Sequence, residues 1–165
     1  METTRYPDSN SYNPFVWYDV PGAGTQNTPD WVYFVEQGLY IFDSIVVVYG
    51  DRFTEIDIAI LKNCDRWRIP AYVVRSKAGQ NIQNVMNELV ESESDDEDED
   101  TIKDTRKDVH DNLEQAGLPQ QRVYIVDQDI LVPVVNGKTH PDTIDEADLY
   151  RDLLAEASRR RIVAD

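Results

Sequence analysis

Asp19 and Gly22 stand three residues apart in Asp19-Val20-Pro21-Gly22, directly after the apolar run Phe15-Val16-Trp17-Tyr18. An aspartate at the end of a buried strand can hold a Mg²⁺ ion through water. A glycine three residues on can bring its backbone N–H up to a terminal phosphate, because no side chain blocks the approach. Asp-x-x-Gly alone is a common polar turn, and its place after an apolar run is what gives it weight. A second such place is Val74-Arg75-Ser76-Lys77-Ala78-Gly79, where another apolar run ends in a hydroxyl and an amine. Arg52 follows a third run and reads most simply as a surface residue. His110 and His140 lie at least thirty residues from each other and from Cys64, so no metal spacing and no nucleophile–base pair can be read from them.

These residues need a scaffold, and the chain alternates to supply one. Phe15–Tyr18, Ser44–Tyr49, Ala71–Ser76 and Arg122–Asp127 read as strands, each nearly continuous in apolar residues, as strands covered on both faces are. Thr28-Pro29-Asp30 opens a helix to about Gln37, with Gly38 near its end. Thr54-Glu55-Ile56-Asp57 opens a second, whose Ile56, Ala59, Ile60, Cys64 and Trp67 share one face and which Ile69-Pro70 stops. Helices are also expected over Asn81–Val90, Thr101–Ala116 and Thr143–Arg161. Thr4–Pro14 reads as loop. Strand and helix alternating four times predict an α/β fold, a mostly parallel sheet with helices on both faces. In such folds ligands bind at the carboxyl ends of the strands. That directs attention to Asp19–Thr25, Gly50–Arg52, Ser76–Gly79 and Asp127–Asp129.

The composition limits the partners. The 165 residues carry 16 Lys and Arg against 32 Asp and Glu, a net charge of −16. Glu91 to Asp100 contains eight of the acids and no base, so half the net charge sits in ten residues that read as a solvated loop. Nucleic acid is excluded as a partner, since phosphate binding needs a basic face. One cysteine allows no internal disulfide and fits a reducing, cytoplasmic setting. No apolar run is long enough to span a bilayer, and the amino-terminal residues read as neither a signal peptide nor a myristoylation site.

Taken together, Trp17-Tyr18-Asp19-Val20-Pro21-Gly22-Ala23-Gly24-Thr25, Phe42-Asp43, Arg52-Phe53-Thr54, Asp57 and Arg75-Ser76-Lys77 resemble the immunity-related GTPases, the interferon-inducible, dynamin-like group, and most of all its fungal relatives. The resemblance runs over roughly Glu2–Arg161. It implies a Ras-like P-loop GTPase G domain that binds GTP with Mg²⁺ and hydrolyses it slowly. Asp19 would hold Mg²⁺ through water, Thr4 of the switch-like Glu2-Thr3-Thr4 would ligate it, and Gly22 would meet the γ-phosphate. Ser76 and Lys77 would bind the nucleotide, with the Lys77 stem packed over the base. The resemblance also implies oligomers with complete GTPases and peripheral membrane association.

Ala23 stands where small GTPases carry a water-orienting glutamine, an absence that the resembled family shares. The chain departs from the pattern in two places. Gly79 stands where the Asn/Thr-Lys-x-Asp loop of P-loop GTPases has its guanine-reading aspartate. The phosphate loop, Gly-x-x-x-x-Gly-Lys-Ser/Thr, does not occur in these residues. The chain is therefore expected to be amino-terminally truncated, mis-started or a degenerate paralogue, with a non-catalytic pseudo-GTPase interaction domain as the alternative function. Without the loop's strand, Phe15–Tyr18 and Ser44–Tyr49 are expected either to leave a gap or to pair directly, with Trp31 and Phe34 poorly covered.

Overall fold

The computed structural model describes residues 3–8, 13–22, 30–50, 52–76 and 96–160. Its centre is made by short β-branched runs. β3 (Ile45–Tyr49), β4 (Ala71–Arg75) and β5 (Val123–Ile125) pair in parallel in the order β3-β4-β5. Side chains alternate across a strand, so neighbours serve different cores. Val47, Val73 and Val123 face one layer, while Val74 and Tyr124 face the other.

Helices α2 (Glu55–Trp67) and α3 (Asp96–Gln115) cover the first face through Leu61, Val109 and Leu113. Both lie in β-to-β crossovers that step the same way across the sheet, and the fixed right-handedness of such crossovers puts them on one face. The other face is covered by α5 (Glu146–Arg160) through Leu149 and Leu153. Helix α2 starts where the sequence predicts. The Asp57 carboxylate accepts the Thr54 N–H and hydroxyl, each at 2.8 Å, a capping-box arrangement. It ends with Arg68 in the left-handed region at φ 56° and Ile69 N–H bonding back to the Cys64 carbonyl. A third cluster joins α1 (Asp30–Glu36) to the rest through Tyr33, Phe34, Leu39, Cys64 and Ile69.

β1 (Thr4–Pro7) and β2 (Val16–Asp19) form a separate antiparallel ribbon. Of the two outcomes expected for Phe15–Tyr18 and Ser44–Tyr49, direct pairing is not what is seen: no ladder joins β2 to β3 among the described residues.

Several sequence expectations are corrected. The four-strand parallel sheet is a three-strand one beside the ribbon. The β2 run is exposed at every residue rather than covered on both faces, because no described layer lies over it. Part of the Thr4–Pro14 loop is the strand β1, whose Tyr6-Pro7 pairing with β2 outweighs its turn-like composition. The acidic loop is helical from Asp96 onward; acids near a helix N-terminus are favoured by its dipole. The stretch after Asp127 contains α4 (Gln128–Val135), capped by Asp127. Trp67 is half-exposed rather than in the α2 core stripe, while Phe34 is wholly buried. The helix expected at Asn81–Val90 lies outside the described residues. No helix among the described residues is long and apolar enough to cross a membrane.

Candidate functional site

The ribbon brings two of the predicted residues face to face. Thr4 and Asp19 are partners across the β1–β2 ladder, a position in which Cα atoms are about 4.5–5.5 Å apart. Both are exposed. The turn that follows is anchored from below. Val20 packs against the Tyr33–Phe34–Leu39 cluster, and the Tyr33 hydroxyl donates to the Pro21 carbonyl at 2.5 Å. Burial pushes the Tyr33 hydroxyl up from its usual pKa, so it stays a donor. Gly22 is exposed, and a Cβ built there would touch nothing within 4 Å among the described residues.

A hydroxyl and a carboxylate are hard oxygen donors, the type Mg²⁺ takes, and Mg²⁺ keeps several waters when one or two carboxylates and substrate phosphates complete its shell. The pair fits such an ion. Among the described residues, no cluster of three or more His, Cys, Asp or Glu side chains is arranged to hold a metal by itself.

Ser76 lies at the carboxyl end of β4. Its N–H donates to the Tyr49 carbonyl at 2.9 Å and its hydroxyl reaches the same oxygen at 3.4 Å. Arg75 is turned away, donating to the buried Thr105 of α3. Tyr49 stands on its ring contact with Phe53, 5.3 Å between centroids, and burial raises its hydroxyl pKa to about 12. Lys77 and Gly79 lie outside the described residues. Beside Ser76, the end of β5 is pinned: Val126 N–H donates to the Arg75 carbonyl, Ile125 N–H to Asp145 and Asp127 N–H to Glu146.

The two groups are not joined by any described contact. Tyr18 meets Phe42 at 5.1 Å, and Phe42 precedes the start of β3, whereas Ser76 lies past the end of β4. A cleft of about 560 Å³ opens at the amino ends of the strands, lined by Arg68, Tyr72, Gln121 and Arg122 among others. Sequence reasoning missed Tyr33, Asp145 and Glu146. The last two could have been suspected as consecutive acids at the start of a helix, but that position equally suits simple dipole pairing.

Residues 1–132 match the family model described as Interferon-inducible GTPase. The chain belongs to that family. It is similar to mouse (Mus musculus) Interferon-inducible GTPase 1, 32% identical over 84 residues, which is 51% of this chain and 20% of the relative. It is also similar to the mouse T-cell-specific guanine nucleotide triphosphate-binding proteins 2 and 1, each 30% identical over 84 residues with the same coverage. The matched stretch thus spans about one fifth of the length of these relatives. The α/β architecture with a three-stranded parallel sheet agrees with the G domain that family membership implies.

Proposed function

We propose that the chain contributes part of a Ras-like G domain that binds GTP with Mg²⁺. The observation that carries the reading is the pairing of Thr4 with Asp19 across one ladder, in a chain of a GTPase family. In this reading Thr4 and Asp19 hold the ion, Asp19 through water. The Gly22 N–H, on a turn held by Tyr33, meets the terminal phosphate. Ser76 and Lys77 take the base. The ion, when bound, neutralises phosphate charge. The protein's own part is to place two oxygens and one amide in a fixed turn. Hydrolysis falls to larger assemblies, since Ala23 cannot orient water. Peripheral membrane contact and pairing with complete GTPases belong to the same reading.

A second reading, a non-catalytic interaction domain, is favoured by Gly79, which has no carboxylate for guanine, and by edges of β2 and β3 that join no further strand among the described residues. The test is an NMR titration of the chain with GTP and with ATP, with and without Mg²⁺. The nucleotide reading expects weak binding, no tighter than about millimolar or about 4 kcal/mol. Few backbone donors to the α- and β-phosphates are supplied by these residues. The shifts are expected at Thr4, Asp19, Gly22 and Ser76, and the Mg²⁺ dependence is expected to disappear in Asp19→Asn. Shifts confined to other residues, or none, would leave the interaction-domain reading standing.

A further inference from the structure

The outer edge of β5 is finished by side chains rather than by another strand. Backbone N–H groups alternate in direction along a strand. The Val126 N–H points to β4, and the Ile125 and Asp127 N–H groups point the other way. Two consecutive carboxylates receive them. Asp145 Oδ2 accepts from Ile125 at 2.9 Å, and Glu146 Oε1 accepts from Asp127 at 2.8 Å. Asp145 is also gripped by Arg106 of α3 and by Arg122, at 2.7 and 2.8 Å. Glu146 differs. It is wholly buried, and its second oxygen accepts from Ile144 N–H at 2.7 Å. A buried carboxylate is costly unless its oxygens are satisfied. This one is satisfied by two main-chain amides, and one of those belongs to Asp127. Asp127 is in turn the N-cap of α4, its Oδ1 accepting the Asp129 N–H at 2.7 Å. Glu146 therefore fixes the point at which the chain leaves β5 and turns into α4, next to Ser76 at the end of β4.

We propose that Glu146 is a positioning residue for a base subsite whose one wall is the turn Asp127–Asp129 and whose other is Ser76. The subsite rests on the nucleotide reading above; the positioning role rests on the buried carboxylate. Glu146 touches no ligand. It acts by holding the Asp127 N–H, and through Asp127 the direction of the exposed Gln128 and Asp129. Two oxygens are needed, one for each amide. A glutamine offers one acceptor and puts an NH₂ against the other N–H. An aspartate keeps both oxygens on a shorter stem.

The test uses the full chain labelled with ¹⁵N, titrated with GDP and with ADP, with amide exchange measured in parallel. Glu146→Gln is expected to speed exchange at Asp127 or Ile144 about tenfold. It is expected to weaken GDP binding read at Ser76 and Asp129 about fivefold, the size of one ordinary hydrogen bond. ADP binding is expected to change less, so the GDP-to-ADP ratio falls. Glu146→Asp is expected to restore much of both. Leu118→Ala, in the core away from the turn, is expected to lower the melting temperature without moving the ratio. An unchanged ratio in Glu146→Gln, with a wild-type chain that does respond, overturns the positioning role alone. A wild-type chain that responds to neither nucleotide overturns the nucleotide reading and the subsite with it. Should Glu146→Gln fail to fold, Glu146→Asp carries the comparison. Its ratio must then shift in step with exchange at Asp127, and an unshifted ratio with faster exchange overturns the role.

Discussion

The β1–β2 ribbon and the β3-β4-β5 sheet are made of similar residues, and they end in opposite circumstances. Val16-Trp17-Tyr18 is as apolar as Val46-Val47-Val48, yet Trp17 is 38% exposed and Tyr18 43%, while Val73 at the sheet's centre is fully buried. The difference lies in what each strand has on its sides. β4 has a strand on either edge and helices on both faces. β2 has β1 on one edge and, among the described residues, nothing on the other. Apolar composition thus makes a strand, and burial is added only by neighbours. Predicted ligands sit on both regions, Thr4 and Asp19 on the exposed ribbon and Ser76 on the packed sheet. The ribbon holds its residues in the open, and the sheet end is pinned from several sides.

The largest effect that tests this contrast is expected at Asp145. Its removal leaves the buried Ile125 N–H without its acceptor and takes a charged partner from Arg106 and Arg122, which are half-exposed, Arg122 keeping Asp148. Asp145→Ala is expected to cost about 2–5 kcal/mol, read by urea unfolding. A loss below about 1 kcal/mol would mean that the sheet edge is less preset than its geometry suggests.

Next in size is the behaviour of the whole chain. Among the described residues the edges of β2 and β3 join no further strand, and with Val48 59% exposed beside them they invite association. The isolated chain is expected to be marginal, and to self-associate in size-exclusion chromatography. A monodisperse monomer with a sharp melt above about 60 °C would break the contrast. Trp17→Lys with Val48→Lys is expected to shift the elution toward monomer.

Trp17→Ala on the ribbon is expected to change stability by less than about 1 kcal/mol, against about 2–5 kcal/mol for Leu113→Ala in the wholly buried core under the sheet. Equal losses would show that the ribbon is covered in solution. The smallest effect concerns pH. Arg122, 2.5 Å from Asp148, holds that carboxyl below its ordinary value of 3.8. Because the folded value is depressed, the pair's contribution is complete above the unfolded carboxyl's pKa and is lost as pH falls through the lowered one. Asp148→Asn is expected to flatten the melting-temperature drop between neutral pH and the carboxyl range, slightly, as the pair is at the surface. An unchanged drop would assign it to other acids.

Much of the sheet was legible because its signals are local. Runs such as Ile45–Tyr49 with breakers after them, and the Thr54–Asp57 cap, need no distant partner to be read. What escaped depends on distant residues. Whether Phe15–Tyr18 is covered is decided by which layers stand over it. The helix after Asp127 depends on a turn held from Glu146, nineteen positions away. In the candidate site, Asp19 and Gly22 were visible from their spacing and Thr4 from resemblance. Tyr33, which anchors their turn, carries no signal beyond being one aromatic in an apolar helix.

The carboxylates at Asp145 and Glu146 also set an order in time. A nascent chain can assemble β3, α2 and β4 from what has already emerged. β5 acquires acceptors for its outer edge only when residues twenty positions further on are out. At about 5–20 residues per second, that is about one to four seconds in which the strand's edge stands open. The Tyr124 hydroxyl waits longer still for Asp152. Helix α5 therefore acts as a latch that closes on β5 after the strand itself has emerged, and a ribosome-stalled chain ending before Asp145 is expected to be cut by protease within β5 while β4 survives.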